Sequence, residues 1–237
     1  MWLRFFRVVN LPTVPGDVLA GAAAVMAALS RPVGALPLAA ACAAGVFLYM
    51  FGLADNDIVG APTDVGRPVA DGQISLRAAR IARGLCLFAA MVAGAAANLA
   101  PAWWVAAFLL AVAVVVYNRT KWCLAMGLCR GLNVICGAGM ALPPVVENGA
   151  ELTPALVASG VCAAVWTVYI TAVTKYSEGE ELDADRKRRV GFLIGAIVYL
   201  QLLALLVFGV KPLLVAGAVL LVVLRFSKRL LPKVSAS

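Results

Sequence analysis

The stretch from Gly52 to Ser75, GLADNDIVGAPTDVGRPVADGQIS, places acidic residues directly against very apolar sequence. Its four carboxylates are Asp55, Asp57, Asp64 and Asp71. Where an apolar helix ends in carboxylates at a membrane face, they form a hard-cation site, an ion path or a solvated loop. Asn56 and Asp57 are adjacent and Asp64 follows shortly after, so several oxygen ligands can converge. Such ligands suit Mg²⁺, which takes one or two carboxylates and completes its shell with water and substrate phosphate.

The composition of the chain requires a lipid environment. Of its 237 residues, 63% are hydrophobic and 14% are charged, and the mean hydropathy is +0.96. Soluble domains carry roughly 25% charged residues, and a soluble fold of this size could not bury so much apolar surface. The sequence therefore predicts an all-α, multi-pass membrane helix bundle, with residues 1–237 forming a single transmembrane domain.

Eight apolar spans are predicted, each near the ~20 residues that cross a bilayer as a helix. They cover residues 11–29, 33–54, 77–99, 101–118, 122–143, 153–174, 189–209 and 212–227. With a cytoplasmic N-terminus, all of the 20 Lys and Arg residues except Arg31 and Lys211 lie at the cytoplasmic end or in cytoplasmic loops, as the positive-inside rule requires. The net charge of +8 is then a topology signal and not a nucleic-acid surface. We expect both termini in the cytoplasm and the protein in the cell inner membrane.

Metal chemistry based on Cys or His is not expected. The six cysteines lie in or beside apolar runs without a C-x-x-C pair, and the chain has no histidine. Disulfide frameworks and zinc sites are therefore not predicted.

Several charged residues lie in or beside the apolar spans. Asp17 either faces a polar cavity or is an interfacial acid beside a Pro-Gly turn; both interpretations remain open. Arg130, one helical turn before Asn133, is expected to face a cavity in preference to reaching the membrane interface. Arg77, Arg80 and Arg83 recur at every third position, so they mark one helical face and are expected to contact lipid headgroups.

The acidic stretch resembles the first aspartate-rich motif of the UbiA superfamily of membrane prenyltransferases. That family reads N-D-x-x-D-x-x-x-D and, after a short gap, R-P-x-x-x-G-x-I-S. Asn56, Asp57 and Asp64 match the first, second and last polar positions, and RPVADGQIS over 67–75 matches the continuation. The middle Asp is replaced by Gly60, and the gap is shorter than usual.

Two further segments match the family more loosely. Tyr117 and Lys121 have the spacing of its Tyr-x-x-x-Lys turn. Glu181 and Asp185 give acid-x-x-x-acid, one helical turn apart, with Glu178 as a rival first member and a solvated charge run as the alternative.

The motifs, together with the intramembrane charges, imply three sets of site residues. Metal ligands are expected at Asn56, Asp57, Asp64, Glu178, Glu181 and Asp185. Diphosphate ligands are expected at Asn10, Arg67, Tyr117, Lys121, Arg130 and Lys175. Catalytic roles are expected for Asp57, Asp64, Lys121 and Arg130.

The resemblance also implies a fold and an activity. The fold is a bundle around a central apolar cavity open to the cytoplasm, for which the family usually has nine helices, one more than predicted here. The activity is Mg²⁺-dependent transfer of a prenyl group from a polyprenyl diphosphate to an acceptor, often aromatic. The expected partners are these two substrates and membrane lipid, without nucleic acid or a required protein.

Two alternative functions remain. Gly60 and the imperfect second acidic motif favour a non-enzymatic carrier of isoprenoid or lipid diphosphates, or an inactive paralogue. A secondary transporter would carry its acids near the membrane midplane, where only Asp17 and Arg130 come close.

Gly60 and Pro62 are expected to end the second apolar helix, because Gly weakens a helix and Pro disfavours α geometry at Ala61. Asp64 would then reach the site from a loop. On this basis Gly60→Asp is expected to leave activity unchanged or to raise Mg²⁺ affinity.

The charge distribution yields a topology test. We expect Asp64→Cys and Asp185→Cys, each in a cysteine-free background, to resist a membrane-impermeant thiol reagent added from the outer side, because both positions lie in predicted cytoplasmic loops. Efficient labelling of either position from outside would contradict the topology.

Overall fold

Helices dominate the part of the chain that the computed structural model describes, residues 1–143, 149–178 and 184–230, and no strand forms there. For residues 149–151, 184, 187 and 228–230 the structure describes the helix but not the side chains. The helices are α1 Trp2–Phe5, α2 Thr13–Leu29, α3 Ala35–Gly60, α4 Leu76–Ala96, α5 Pro101–Thr120, α6 Cys123–Ala141, α7 Gly149–Ser177, α8 Ala184–Val207 and α9 Lys211–Leu230. A 3₁₀ turn, Val8–Asn10, joins α1 to α2.

Each of the eight predicted apolar spans overlaps one of the helices α2 to α9. Seven helical spans, from Val8–Leu29 to Arg188–Val207, are long and apolar enough to cross a membrane. Helix α9 falls outside this group because Lys211, Arg225, Lys228 and Arg229 interrupt its apolar run. The all-helical membrane bundle is thus confirmed, whereas the crossing by α9 stays a prediction.

Helix α6 lies at the centre of the bundle, where it packs against α2, α3, α5 and α7. Glycine permits its closest approach, to α2. A Cβ on Gly137 would lie 2.8 Å from the Val18 Cα, and one on Gly21 would lie 2.8 Å from the Val134 carbonyl carbon. Small residues at such crossings let helix backbones approach closely, which is the main source of helix association where lipid replaces water.

A buried acid clamps three helices together at one end of the bundle. Asp55, 1% exposed, accepts hydrogen bonds from Arg83 Nη1 at 2.8 Å, Arg119 Nη1 at 3.3 Å and Asn118 Nδ2 at 3.0 Å. This ties α3 to α4 and α5. The predicted headgroup role is therefore wrong for Arg83, because its guanidinium turns inward to neutralise Asp55.

The loop between α3 and α4, residues 61–75, is ordered by its own turns and by α1. Gly66 and Gly72 have φ of +90° and +70°, a region that glycine enters readily. Asp71 Oδ1 accepts the Gly66 N–H at 2.8 Å, and Arg4 Nη2 on α1 donates to the Gly66 carbonyl at 2.9 Å. Asp71 therefore stabilises the loop that carries the neighbouring site residues.

The close crossing of α2 and α6 predicts an asymmetry between two glycine substitutions. Gly137→Ala should destabilise the protein by about 1–3 kcal/mol, the usual cost of overpacking, because the new methyl group meets the backbone of Val18. Gly84→Ala, in α4 with nothing near its Cβ position, should be neutral or stabilising. Thermal unfolding of the two variants in the same detergent checks this, and equal melting temperatures would contradict the packing.

Candidate functional site

A cavity of about 270 Å³ lies between α2, α3, α5 and α6. Its middle is apolar, with walls formed by Val14, Leu48, Leu53, Leu110 and Val114. Polar side chains line it at two levels: Asn56 near the end of α3, and Asn133 beside Gly45 on the same helix. Gly45 and Asn56 are about 16 Å apart along the axis of α3. We call these levels the cationic end and the amide end.

The cationic end contains three positively charged side chains. Arg7, Arg67 and Lys121 line the cavity there together with Asn56 and Asp64. Their charges exceed those of the nearby carboxylates, and this region is enclosed by apolar walls. Such a surface favours an anionic group attached to a hydrocarbon chain.

Arg67 joins the two carboxylates of the first motif. Its Nη1 lies 3.3 Å from Asp57 Oδ1, and its Nε lies 3.2 Å from Asp64 Oδ2. Asp57 is almost fully buried behind the cavity wall, whereas Asp64 lines the cavity itself. The guanidinium thus holds both acids at one place and neutralises part of their charge.

Lys121 ends α5 and bonds to the first motif. Its Nζ donates to Asn56 Oδ1 and lies 5.7 Å from the centre of the Tyr117 ring. Burial lowers the pKa of Lys121 below its usual range, and the Arg67 cation lowers it further, whereas Asp64 opposes this. Because burial is the main cause, the lowered pKa reflects the loss of water around the ammonium group, and a bound anion would offset that loss.

The oxygen donors of the first motif are of the type that Mg²⁺ prefers. Asn56, Asp57 and Asp64 offer two carboxylates and an amide oxygen, which leaves positions for water and phosphate. Within the described residues, no group of three or more Cys, Asp or Glu side chains forms a ready-made metal cluster. Arg67 and Lys121 already bond to these oxygens, so a metal ion would have to compete with two side chains.

Gly60 provides the space that Asp64 occupies. Helix α3 ends at Gly60, as predicted, and the Asp64 N–H donates to the Gly60 carbonyl at 2.8 Å. A Cβ on Gly60 would lie 2.6 Å from Asp64 Cγ. A side chain at position 60 must therefore shift the Asp64 carboxylate, and the expectation for Gly60→Asp stays a prediction.

The described residues of the second acidic motif lie outside the cavity. Glu178 is exposed, where it pairs with Lys175 Nζ at 2.7 Å and accepts from Cys123 Sγ at 3.0 Å. Asp185 is also exposed, and Glu181 lies outside the described residues. The predicted roles of Lys175, Glu178, Glu181 and Asp185 remain predictions, and the position of the cavity does not support them.

Arg7 is a cavity residue that the sequence analysis counted only as a topology charge. It adopts φ +42° and ψ +50°, a left-handed conformation that costs a residue with a side chain about 1–3 kcal/mol. The predicted Asn10 follows in the 3₁₀ turn, outside the cavity lining. The sequence marked Arg7 only as a basic residue just before the first apolar span.

At the amide end, the buried carboxylate of Asp17 collects donors from three helices. Arg130 Nε lies 3.0 Å from its Oδ2, Trp166 Nε1 donates at 2.8 Å, Gln201 Nε2 at 2.6 Å and Asn133 Nδ2 at 3.2 Å. Asp17 is 0% exposed and lies behind the cavity lining, whereas Arg130 and Asn133 line the cavity. Asp17 is thus neither an exposed interfacial acid nor a cavity-facing one, because it lies behind the lining as the counter-charge of Arg130.

Comparison with solved structures identifies the fold. Over 98% of this chain, the structure resembles one from a study of digeranylgeranylglyceryl phosphate synthase, with a TM-score of 0.56, 13% identity and 95% of that chain covered. The same share of this chain matches a UbiA homologue from Archaeoglobus fulgidus bound to GPP and Mg²⁺, with a TM-score of 0.56, 13% identity and 87% of that chain covered. The chain has the UbiA fold.

A third comparison agrees. The A. fulgidus UbiA homologue bound to DMAPP and Mg²⁺ has a TM-score of 0.54 and 14% identity, over 98% of this chain and 87% of that chain. No protein-family model and no curated protein sequence matches this chain. At such low identity the similarity establishes the UbiA fold, while the chemistry has to be argued from the side chains of the cavity.

The Asp17 network predicts a strong energetic coupling. Asp17→Asn should cost about 3–5 kcal/mol of stability, because it leaves the Arg130 guanidinium buried without its counter-charge. The double variant Asp17→Asn with Arg130→Gln should cost less than the sum of the two single substitutions, since they remove one interaction. Unfolding free energies in detergent would measure the cycle; strict additivity would show that the pair is not coupled.

Proposed function

We propose that the protein is a UbiA-type prenyltransferase, which transfers a prenyl group from a prenyl diphosphate to an acceptor within the membrane. The observation that supports this most directly is the cationic end of the cavity. Arg7, Arg67 and Lys121 converge there with Asn56 and Asp64, next to an apolar chamber inside a helix bundle. A prenyl diphosphate has the matching form, an anionic head on a hydrocarbon chain.

In this proposal the cations bind and neutralise the diphosphate. Charge-assisted hydrogen bonds from Arg and Lys to phosphate are strong, and they strengthen as charge develops on the leaving group. Arg67 and Lys121 exchange their contacts with the carboxylates and Asn56 for contacts with phosphate oxygens. Asn56, Asp57 and Asp64 would hold Mg²⁺, which when bound supplies electrophilic stabilisation of the departing diphosphate oxygens.

The apolar walls keep water from the reacting carbon. The C1–O bond breaks with its electron pair leaving on the diphosphate, the acceptor forms a bond to C1, and the proton that the acceptor loses passes to the departing diphosphate. Leu48, Leu110 and Val114 line this part of the cavity beside Tyr49, and these three apolar side chains offer water no hydrogen-bond partner, which favours the acceptor over water.

The size of the cavity bears on the prenyl chain. At about 270 Å³, it is slightly smaller than the ~300–1,000 Å³ typical of ligand pockets. We propose that it encloses the head and the first isoprene units, and that the rest of a longer chain extends among the helices toward lipid. The basic end of the bundle faces the cytoplasm of the inner membrane in this proposal.

A carrier of prenyl diphosphates is the second candidate. Its support is the bridge from Arg67 to Asp57 and Asp64, which already neutralises the acids. Such a protein would bind the diphosphate through its cations and release it unchanged.

Release of inorganic diphosphate separates the two candidates. Purified protein in nanodiscs of native lipid extract, given geranyl or geranylgeranyl diphosphate, should release diphosphate with Mg²⁺ but not with EDTA. Asp57→Ala should abolish release without unfolding, because its partner Arg67 is partly exposed and keeps Asp64. Lys121→Met should reduce release by tenfold or more, since it removes a charge-assisted bond to the leaving group.

The matched control is Lys211→Met, an exposed lysine at the start of α9, which should release diphosphate at the wild-type rate. Binding of the prenyl diphosphate without release in the wild type would favour the carrier. Full activity of Asp57→Ala would refute the proposed metal ligands, and no binding at all would refute both functions.

A further inference from the structure

The amide end of the cavity carries an acceptor atom without a partner. Asn133 is 3% exposed, and its Nδ2 donates to the Val14 carbonyl at 3.1 Å and to Asp17 at 3.2 Å. Its Oδ1 has no hydrogen-bond partner among the described residues. An unpaired buried polar atom costs about 1–3 kcal/mol, so this amide is incomplete until something donates to it.

The unpaired oxygen is directed toward α3 and the cavity. The two polar atoms of a carboxamide project to opposite sides, and Nδ2 faces α2. Oδ1 lies 3.0 Å from the position that a Cβ on Gly45 would occupy, and both Gly45 and Asn133 line the cavity. Because Gly45 has no side chain, only its backbone separates this oxygen from α3.

Arg130, one turn earlier on α6, adds donors with little net charge. Its Nη2 donates to Asp17 Oδ1 and to the Thr13 carbonyl, and its Nε lies 3.0 Å from Asp17 Oδ2 as an ion pair without hydrogen-bond geometry. Among the described residues, none accepts from its Nη1, and the side chain lines the cavity. Because Asp17 balances the guanidinium charge, this end presents hydrogen-bond donors without the surplus of cations found at the cationic end.

We propose that the amide end binds an uncharged hydroxyl group of the prenyl acceptor. The hydroxyl donates to Asn133 Oδ1 and accepts from Arg130 Nη1, which uses both functions of the group. Asp17 acts as a positioning residue that holds Arg130 and Asn133 in place. The proposal rests on the transferase function and specifies the second substrate of that reaction.

Other acceptor groups fit this end less well. A carboxylate or phosphate offers no proton to Asn133 Oδ1 and meets a guanidinium already neutralised by Asp17. An ether or ketone can accept from Arg130 but also leaves Oδ1 unpaired, and an ammonium group has no lone pair with which to accept from Arg130 Nη1. The two ends of the cavity therefore sort the substrates by charge, with the diphosphate at the cationic end and the hydroxyl at the amide end.

The test compares three small probes of similar shape by calorimetric titration, without prenyl diphosphate. They are 4-propylphenol, which carries the hydroxyl, 4-propylanisole, in which a methyl ether replaces it, and 4-propylbenzoate, which is anionic. Wild-type protein should bind the phenol about tenfold or more tighter than the anisole, the expected effect of leaving a buried acceptor unpaired, and should bind the benzoate weakly.

Two variants should bring the phenol-to-anisole ratio close to one. Asn133→Ala removes the acceptor, and Gly45→Ala places a methyl group 3.0 Å from it without removing any side chain of the Asp17 network, so it remains informative if Asn133→Ala fails to fold. The matched control is Gly52→Ala on the same helix, whose added methyl would lie 3.0 Å from Val114 Cγ1 in the apolar part of the cavity. It should keep the wild-type ratio even if it weakens both probes.

The outcomes separate this inference from the transferase proposal. No phenol preference in the wild type, or an unchanged preference in both Asn133→Ala and Gly45→Ala, would overturn the hydroxyl site. Neither result would change what diphosphate release says about the transferase proposal. A phenol preference that disappears in these variants but not in Gly52→Ala would support the site, whether or not diphosphate release is observed.

Discussion

A carboxylate inside an apolar bundle must find its hydrogen-bond donors within the protein, and Asp17 sets this requirement here. An unpaired charge in such surroundings is very costly. The donors come from Arg130 and Asn133 on α6, Trp166 on α7 and Gln201 on α8. Because these residues are distant in sequence, satisfying one acid fixes the rotation of four helices relative to one another. The cavity wall formed by α6 inherits its orientation from this network.

The same network separates the electrostatics of the two ends of the cavity. Arg130 is neutralised by Asp17 within the bundle, whereas Arg7, Arg67 and Lys121 are incompletely balanced at the other level. Charges act strongly across such an interior because water does not screen them. An anion is therefore attracted toward the end of α3 and gains little at the amide end. Burial of one ion pair thus makes the two ends of the cavity electrostatically different. The cationic end suits the charged head of an amphiphile, and the amide end suits uncharged groups.

An apolar run of about 20 residues crosses lipid as a helix, so the helices α2 to α8 could be predicted from the sequence. The position of Lys121 beside the first motif could be predicted as well. Which acids face the cavity and which pair with other helices could not be predicted from the sequence. Asp55 and Asp57 are two residues apart, which turns them about 200° from each other around the helix. Asp55 therefore faces Arg83 and Arg119, away from the cavity. Such pairings between helices depend on packing angles that no linear pattern encodes.

The departure of this chain at position 60 has a consequence for how metal and anion interact at the cationic end. The Asp64 carboxylate occupies the space beside Gly60, where Arg67 links it to Asp57. A cation that binds the carboxylates must release the guanidinium, and an anion that binds the guanidinium must release the carboxylates. Linkage requires this coupling to be reciprocal. With Arg67 between them, a diphosphate and a metal ion bound as proposed would therefore favour each other's binding even without a third carboxylate.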